Sequence, residues 1–158
     1  MVFVDAENVS KALVKKFRKK HPEEIYKVYA KKSVISDYYL ELPNVEFINC
    51  FHGKNSADTY MTADIVKSLY EDNIFKYYIV TQDKDLTIAI KMITDHQKEC
   101  TLVTSLGRTL SNLKSVGVDL TYVEVEEYDT SNNNTFLHKI VKTKDTSNIY
   151  DNFKRSVF

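Results

Sequence analysis

Cysteine is scarce in this chain, and its two copies stand far apart. Cys50 and Cys100 belong to no CxxC pair, so they offer neither a zinc cage nor a disulfide framework. Both fall in apolar, strand-like runs, where a small buried thiol is the expected state. This usage fits a reducing compartment, and a cytoplasmic location is expected. Long apolar runs are missing too. None approaches the roughly 20 residues that cross a bilayer, so no membrane span is expected. The N-terminus has no basic segment followed by an apolar one, so no secretion signal is expected. Net charge is also lacking: Lys plus Arg and Asp plus Glu both number 22. A strong global pull toward nucleic acid is therefore not expected, which leaves local basic patches to be considered. The four histidines, His21, His52, His96 and His138, form no cluster, and there is no internal repeat.

What is present suffices for one domain with a proper core: 158 residues, 43% hydrophobic and 28% charged. Runs rich in Tyr, Val, Ile and Phe predict strands near residues 2–5, 25–30, 45–51, 77–81, 100–104 and 120–125. Between the first two, Val9, Leu13 and Phe17 are spaced for a helix. A short helix is expected over 34–42, ending before Pro43. A longer one is expected over 57–70, with Met61, Ile65 and Leu69 four apart. Others are expected over 86–96 and over 110–116, the last stopped by Gly117. Strands alternating with helices predict βαβ units, hence an α/β fold with a mostly parallel sheet and helices on both faces. After about Tyr128 the pattern frays. The stretch "DTSNNNT" at 129–135 reads as a linker. Ile149, Phe153 and Val157 beyond it are spaced for one helix face, which packs on the domain or docks on a partner. The expected division is a domain over 1–128 and a linker with an amphipathic tail over 129–158.

Acidic residues recur where such a fold gathers them. "VFVDAEN" at 2–8 runs from an apolar strand into Asp5, Glu7 and Asn8 with no glycine. "YYIVTQDKD" at 77–85 repeats the plan with Asp83 and Asp85. "GKNSADTYMTAD" at 53–64 supplies Asp58 at the start of the long helix and Asp64 further along. In an open parallel sheet the strand C-termini line one edge, where ligands bind. If the first and fourth strands are neighbours, Asp5 and Asp83 meet there, and Asp58 can be aimed at the same place. Asp64 lies about 60° from Met61 around the helix, at the border of the buried stripe. It pairs with a core lysine or histidine, or it faces a metal-bound water. For Asp58 and Asp83, helix capping is the structural alternative. Clustered carboxylates repel one another and raise each other's pKa, so a cation is expected among them. Oxygen-only ligands favour Mg²⁺ or Mn²⁺, and such an ion binds phosphate and activates water for phosphate-ester hydrolysis.

At these residues the chain resembles the NYN family, a branch of the PIN-like metal-dependent ribonucleases. Asp5 and Asn8 match the family's first motif. Lys54, Asn55 and Asp58, with Asp64 six positions on, match the second. Thr81, Asp83 and Asp85 match the third, with Thr where Ser is frequent and Leu86 where an aromatic is frequent. The stretch "LGRTLSNLKSVGVDLTYV" is similar to the family's last helix and strand, and the resemblance covers roughly residues 1 to 125. It implies a three-layer α/β/α sandwich of sheet order 3-2-1-4-5, with an acidic pocket at the C-terminal edge. It further implies a divalent-metal nuclease acting on RNA with Mg²⁺ or Mn²⁺; single-stranded RNA is the expected substrate, with endonucleolytic cleavage expected and exonucleolytic cleavage the open alternative. In that frame Asp5 and Asp83 are the central metal ligands and Asp58 completes the site. Asp85 supports them or binds a second ion, and Asp64 is counted with the ligands. Asn8 orients Asp5 or touches the metal-bound water. Thr81 hydrogen-bonds a carboxylate and is grouped with Lys54, Asn55 and Arg108 on the substrate side. His52 lies near the pocket by sequence but is expected to be structural.

The densest basic run is "KKFRKK" at 15–20, and on its helix Lys11, Lys15, Arg18 and Lys19 are expected to face away from the apolar stripe. A solvated face is the default reading and RNA contact the alternative. A haloacid-dehalogenase-type phosphatase would also use an acid after the first strand, with Glu7 as its second acid. No suitable lysine motif follows. The remaining alternative is a non-catalytic RNA- or protein-binding module of the same fold. A homodimer, or a protein partner on the tail, is compatible with either reading.

Overall fold

A computed structural model of the chain describes residues 1–51, 53–71, 73–83, 85–105 and 118–123, of residues 120, 122 and 123 the backbone only. All of them lie in one compact unit, Met1–Glu126. The expected helix at 110–116, Arg108, His52, His138 and everything from 124 onward, including the expected boundary at 128, lie outside the described residues.

The elements in order are β1 (Val2–Asp5), α1 (Lys11–Lys20), β2 (Tyr26–Ala30), α2 (Asp37–Leu40), β3 (Val45–Asn49), α3 (Ser56–Ser68), β4 (Lys76–Val80), α4 (Thr87–Asp95), β5 (Glu99–Ser105) and β6 (Asp119–Val123). The sheet order is β3-β2-β1-β4-β5-β6, and every pairing is parallel. This is the expected 3-2-1-4-5 order with β6 added beyond β5. β1 sits between β2 and β4, and all four of its residues are buried, as a central parallel strand requires.

Side chains alternate across the sheet and divide the core in two. Phe3, Tyr29, Tyr77, Ile79 and Leu102 pack with Met61 and Ile65 of α3 and Ile90 and Ile93 of α4. Val2, Val4, Val28, Val80 and Val103 pack on the other face with Leu13, Val14 and Phe17 of α1 and Tyr39 of α2. The result is the three-layer α/β/α arrangement. Cys50 and Cys100 are unpaired and buried. No helix among the described residues is long and apolar enough to cross a membrane.

Two helices differ from the periodicity. α1 starts at Lys11 because Ser10 caps it, its side chain accepting from the Leu13 amide at 3.3 Å. Val9 is buried all the same, one residue before that cap. α2 is shorter than expected because the chain first closes a turn, with the Val34 and Ile35 amides donating to the Lys31 carbonyl. Ser36 then stands at the N-cap. On α1, Arg18 is not a solvated cation. Its Nη2 donates to the Pro43 carbonyl at 2.9 Å, and its guanidinium lies 5.8 Å from the centre of the Tyr26 ring. His21 stacks on Phe17 with ring centroids 4.4 Å apart, a packing role.

Helix α3 is docked by hydroxyls from the sheet. Phe3 stacks between Tyr29 and Tyr77, with centroids 6.5 and 5.9 Å away. The Tyr77 hydroxyl donates to the Ser68 carbonyl at 2.9 Å, and the Tyr29 hydroxyl donates to Asp64 Oδ2 at 2.8 Å. Lys27 Nζ approaches the same oxygen at 3.5 Å. Hydrogen bonds to charged groups exceed neutral ones, at about 1.5–3 kcal/mol. Tyr29→Phe is therefore expected to cost about 1–2 kcal/mol, measured by denaturant unfolding. An unchanged midpoint would refute this account of how α3 is held.

Candidate functional site

The site begins where β1 ends. Asp5 is 0% exposed. The amides of Asn8 and Val9 both donate to its carbonyl at 3.2 Å, so the chain turns there by its own backbone hydrogen bonds and needs no glycine. Because Ser10 caps α1, Asp5 and Asn8 are released from that duty. Asp5 Oδ2 instead accepts from Asn8 Nδ2 at 2.9 Å and from Thr81 Oγ1 at 2.8 Å. Thr81 directly follows β4, the ladder neighbour of β1, and shares the face of Tyr77 and Ile79. Its hydroxyl oxygen also accepts from the Asp83 amide at 3.0 Å. Asp83 Oδ1 in turn accepts from the Asp85 amide at 3.0 Å. Asp85 Oδ2 accepts from Asn55 Nδ2 at 3.3 Å, at the start of α3. A run of hydrogen bonds thus joins β1, the loop after β4 and the N-terminus of α3.

Two oxygens in this run are left over. Asp5 Oδ1 and Asp58 Oδ1 are buried with no hydrogen-bond partner among the described residues. Asp58 lies in the first turn of α3, three positions past Asn55 at the N-cap. Burial is the main reason its pKa rises to about 6; the charges of Asp5, Asp83, Asp85 and Glu7 add to the rise. Burial also raises Asp5 above the ordinary carboxylate value, against the lowering effect of the Asn8 and Thr81 hydrogen bonds. None of Asp5, Asp58, Asp83 and Asp85 is in an ion pair with a described residue. Capping explains neither Asp58 nor Asp83, since Asn55 and Leu86 hold the N-cap positions of α3 and α4.

The fold therefore brings Asp5, Asn8, Asp58, Asp83, Asp85 and Asn55 to one edge. Two expectations are corrected, and the expected hydrogen bond of Thr81 to a carboxylate is present. Asp64 does not join this group: it lies about 9 Å along α3 from Asp58, and its carboxylate is taken by Tyr29 and Lys27. The pairing alternative holds, with lysine and tyrosine as partners. Thr81 is 0% exposed, with its hydroxyl engaged by Asp5 and the Asp83 amide, so it braces carboxylates and does not face substrate. Asn55, with a left-handed φ of 57°, turns its side chain to Asp85. Lys54 is exposed on the loop before α3. Glu7, which matches none of the three motifs, also acts on this edge through its charge on Asp58. Its Oε1 accepts from the Lys31 amide at 2.9 Å, with Lys31 Nζ 3.6 Å from Oε2. Its place two residues past Asp5 was the available signal.

Among the described residues, no group of three or more His, Cys, Asp or Glu side chains is gathered closely enough to form a ready ion cage. The donors nonetheless fit a hard divalent cation: they are all carboxylate oxygens, and two of them are buried orphans. The raised pKa of Asp58 has a measurable consequence. The folded chain holds that proton more tightly than the unfolded chain, where the ordinary value is 3.8. Ion-free folded protein thus loses stability from this group as pH rises from 3.8 through about 6. The stability of Asp58→Asn relative to the parent is expected to increase over that range and then level off, read by denaturant titration in EDTA. A difference that stays constant with pH would contradict the assigned environment.

Comparisons with known proteins bear on the fold and the family. A crystal structure of a protein of unknown function from Vibrio parahaemolyticus superposes with a TM-score of 0.55 at 15% identity, covering 78% of this chain and 91% of that one. At that identity the likeness is one of fold. No curated protein matches the chain. The family model described as NYN domain matches residues 1–124, the stretch that holds the whole sheet and every acid of the edge. The chain belongs to the NYN domain family, a PIN-like, nuclease-related family.

Proposed function

We propose that the protein is a metal-dependent ribonuclease that hydrolyses phosphodiester bonds within single-stranded RNA. The observation that carries this reading is the pair of buried, unpartnered carboxylate oxygens, Asp5 Oδ1 and Asp58 Oδ1, at one edge with Asp83 and Asp85. A fold maintains repelling acids at such a place when a cation offsets them. Asp5, Asp58 and Asp83 would hold Mg²⁺ or Mn²⁺, with Asp85 beside them. When bound, such an ion neutralises phosphate charge and makes water acidic enough to attack at neutral pH. The chain's own residues do the positioning. Asn8 and Thr81 hold Asp5 in one orientation, Thr81 fixes the Asp83 turn, and Asn55 ties Asp85 to α3. Lys54, on the same loop, would meet substrate phosphate, as would Arg108 in the stretch after β5. The unpaired thiols fit a reducing cytoplasm.

One observation favours a second reading, a non-catalytic RNA- or protein-binding module of the same fold: among the described residues the acids are not drawn into a ready ion cage. The two are separated by incubating the protein with labelled single-stranded RNA in Mn²⁺ or in EDTA. Cleavage is expected in Mn²⁺ and not in EDTA, and Asp83→Asn is expected to slow it by about a hundredfold or more. Cleavage in EDTA, or a parental rate in Asp83→Asn, would overturn the mechanism. Binding without cleavage across several RNAs and both ions would establish the binding-module reading.

A further inference from the structure

The edge of the sheet is chemically divided. Carboxylates occupy the ends of β1 and β4. On the other side, Lys31 and Lys32 follow β2, and Phe51 and Lys54 lie in the connection from β3 to α3. Phe51 is 75% exposed. A single exposed Phe needs no explanation, but this one belongs to a pair: its ring centre is 5.9 Å from that of Tyr60, tilted by 52°. It is also fastened to the site. Ser56 Oγ donates to the Phe51 carbonyl at 2.7 Å, at the head of the helix that carries Asp58. The Lys32 amide donates to Asn49 Oδ1 at 2.9 Å, joining the ends of β2 and β3. Neither Lys32 nor Lys54 is in an ion pair among the described residues, and Lys31 Nζ lies 3.6 Å from Glu7 at the rim of the acids. The chain is neutral overall, yet three lysines gather on this side of the edge, beside the acids.

We infer that the β2–β3 side of the edge is the track for nucleotides flanking the scissile phosphate, with Phe51 stacking one unpaired base and Lys31, Lys32 and Lys54 facing the backbone. The inference rests on the ribonuclease reading for what lies next to the track, and it adds how the strand is held. Three considerations support it. A phosphodiester chain is repelled by the carboxylates and drawn to the lysines, so charge alone directs it to this side. An aromatic face binds any base by stacking and needs no sequence readout. A base inside a duplex is not available to such a face, so single strands are selected.

The test is fluorescence anisotropy in EDTA with labelled oligo(U) as probe, and the same strand annealed to oligo(A) as competitor. Phe51→Ala is expected to weaken oligo(U) binding by about tenfold or more, with Phe51→Trp restoring it. The double variant Lys32→Ala/Lys54→Ala is expected to lower the slope of log affinity against log salt by about 1.4, at about 0.7 per lost contact. The duplex is expected to bind more weakly than the single strand. Thermal melting confirms that these surface variants stay folded. Parental affinity in folded Phe51→Ala, an unchanged salt slope, equal binding of duplex, or no binding of oligo(U) would each overturn the inference. Oligo(U) bound through Phe51 but cleaved under no ion would uphold the track and end the nuclease reading. Cleavage by Phe51→Ala with parental affinity and KM would do the reverse.

Discussion

The carboxylate of Asp5 is buried at the end of the central strand, with one oxygen satisfied and the other without a partner among the described residues. Taking a charged group out of water is costly unless partners replace the water. Asn8 and Thr81 replace it on one side only. Much of the local architecture answers to that half-solution. Asn8 is within reach because the chain turns immediately after β1. Thr81 is within reach because β4 is the ladder neighbour of β1. Ser10 caps α1, which leaves both Asp5 and Asn8 for the pocket. Asp58 then adds a second unsatisfied oxygen from a different layer.

The two faces of the sheet contribute unequally. The face of α1 and α2 packs valines with Leu13, Val14 and Phe17 and with Tyr26, Tyr39 and Tyr78. The other face carries a stack of three aromatic rings. Phe3, Tyr29 and Tyr77 lie nearly parallel, with interplanar angles of 10° and 9°. Buried tyrosines seek a hydrogen-bond partner, and here both partners belong to α3. That helix is consequently held by apolar packing and by directed bonds, and it carries Asp58.

Much of this was legible in the residues. Short apolar runs ending in acid marked β1 and β4, and the four-residue spacing of Met61, Ile65 and Leu69 marked α3. Alternation of strand and helix implied a parallel sheet. Asp64 was harder. Periodicity placed it beside the buried stripe, but its partners come from β2, and nothing local to α3 announces a lysine and a tyrosine there. The bond from Thr81 to a carboxylate was expected from its motif and is present; that its side chain is fully buried, away from the substrate side, shows only in the fold. Glu7 looked incidental because its effect is exerted through space on Asp58, a residue far along the chain. Arg18 read as one more cation on a basic face, whereas its contacts are a backbone carbonyl and a ring that folding supplies.

The acids hang from supports of different kinds. Asp5, on β1, is set by a backbone ladder, which is stiff and indifferent to side-chain identity, and Asp83, in the loop after β4, is tied to that ladder through Thr81. Asp58 is set by how closely a helix approaches the sheet, and that spacing is governed by tyrosines in the interior and the groups they grip. The aperture between strand-borne and helix-borne oxygens is thus a property of the core. A change of ring size deep in the molecule can shift Asp58 against Asp5 while every acid stays as it is.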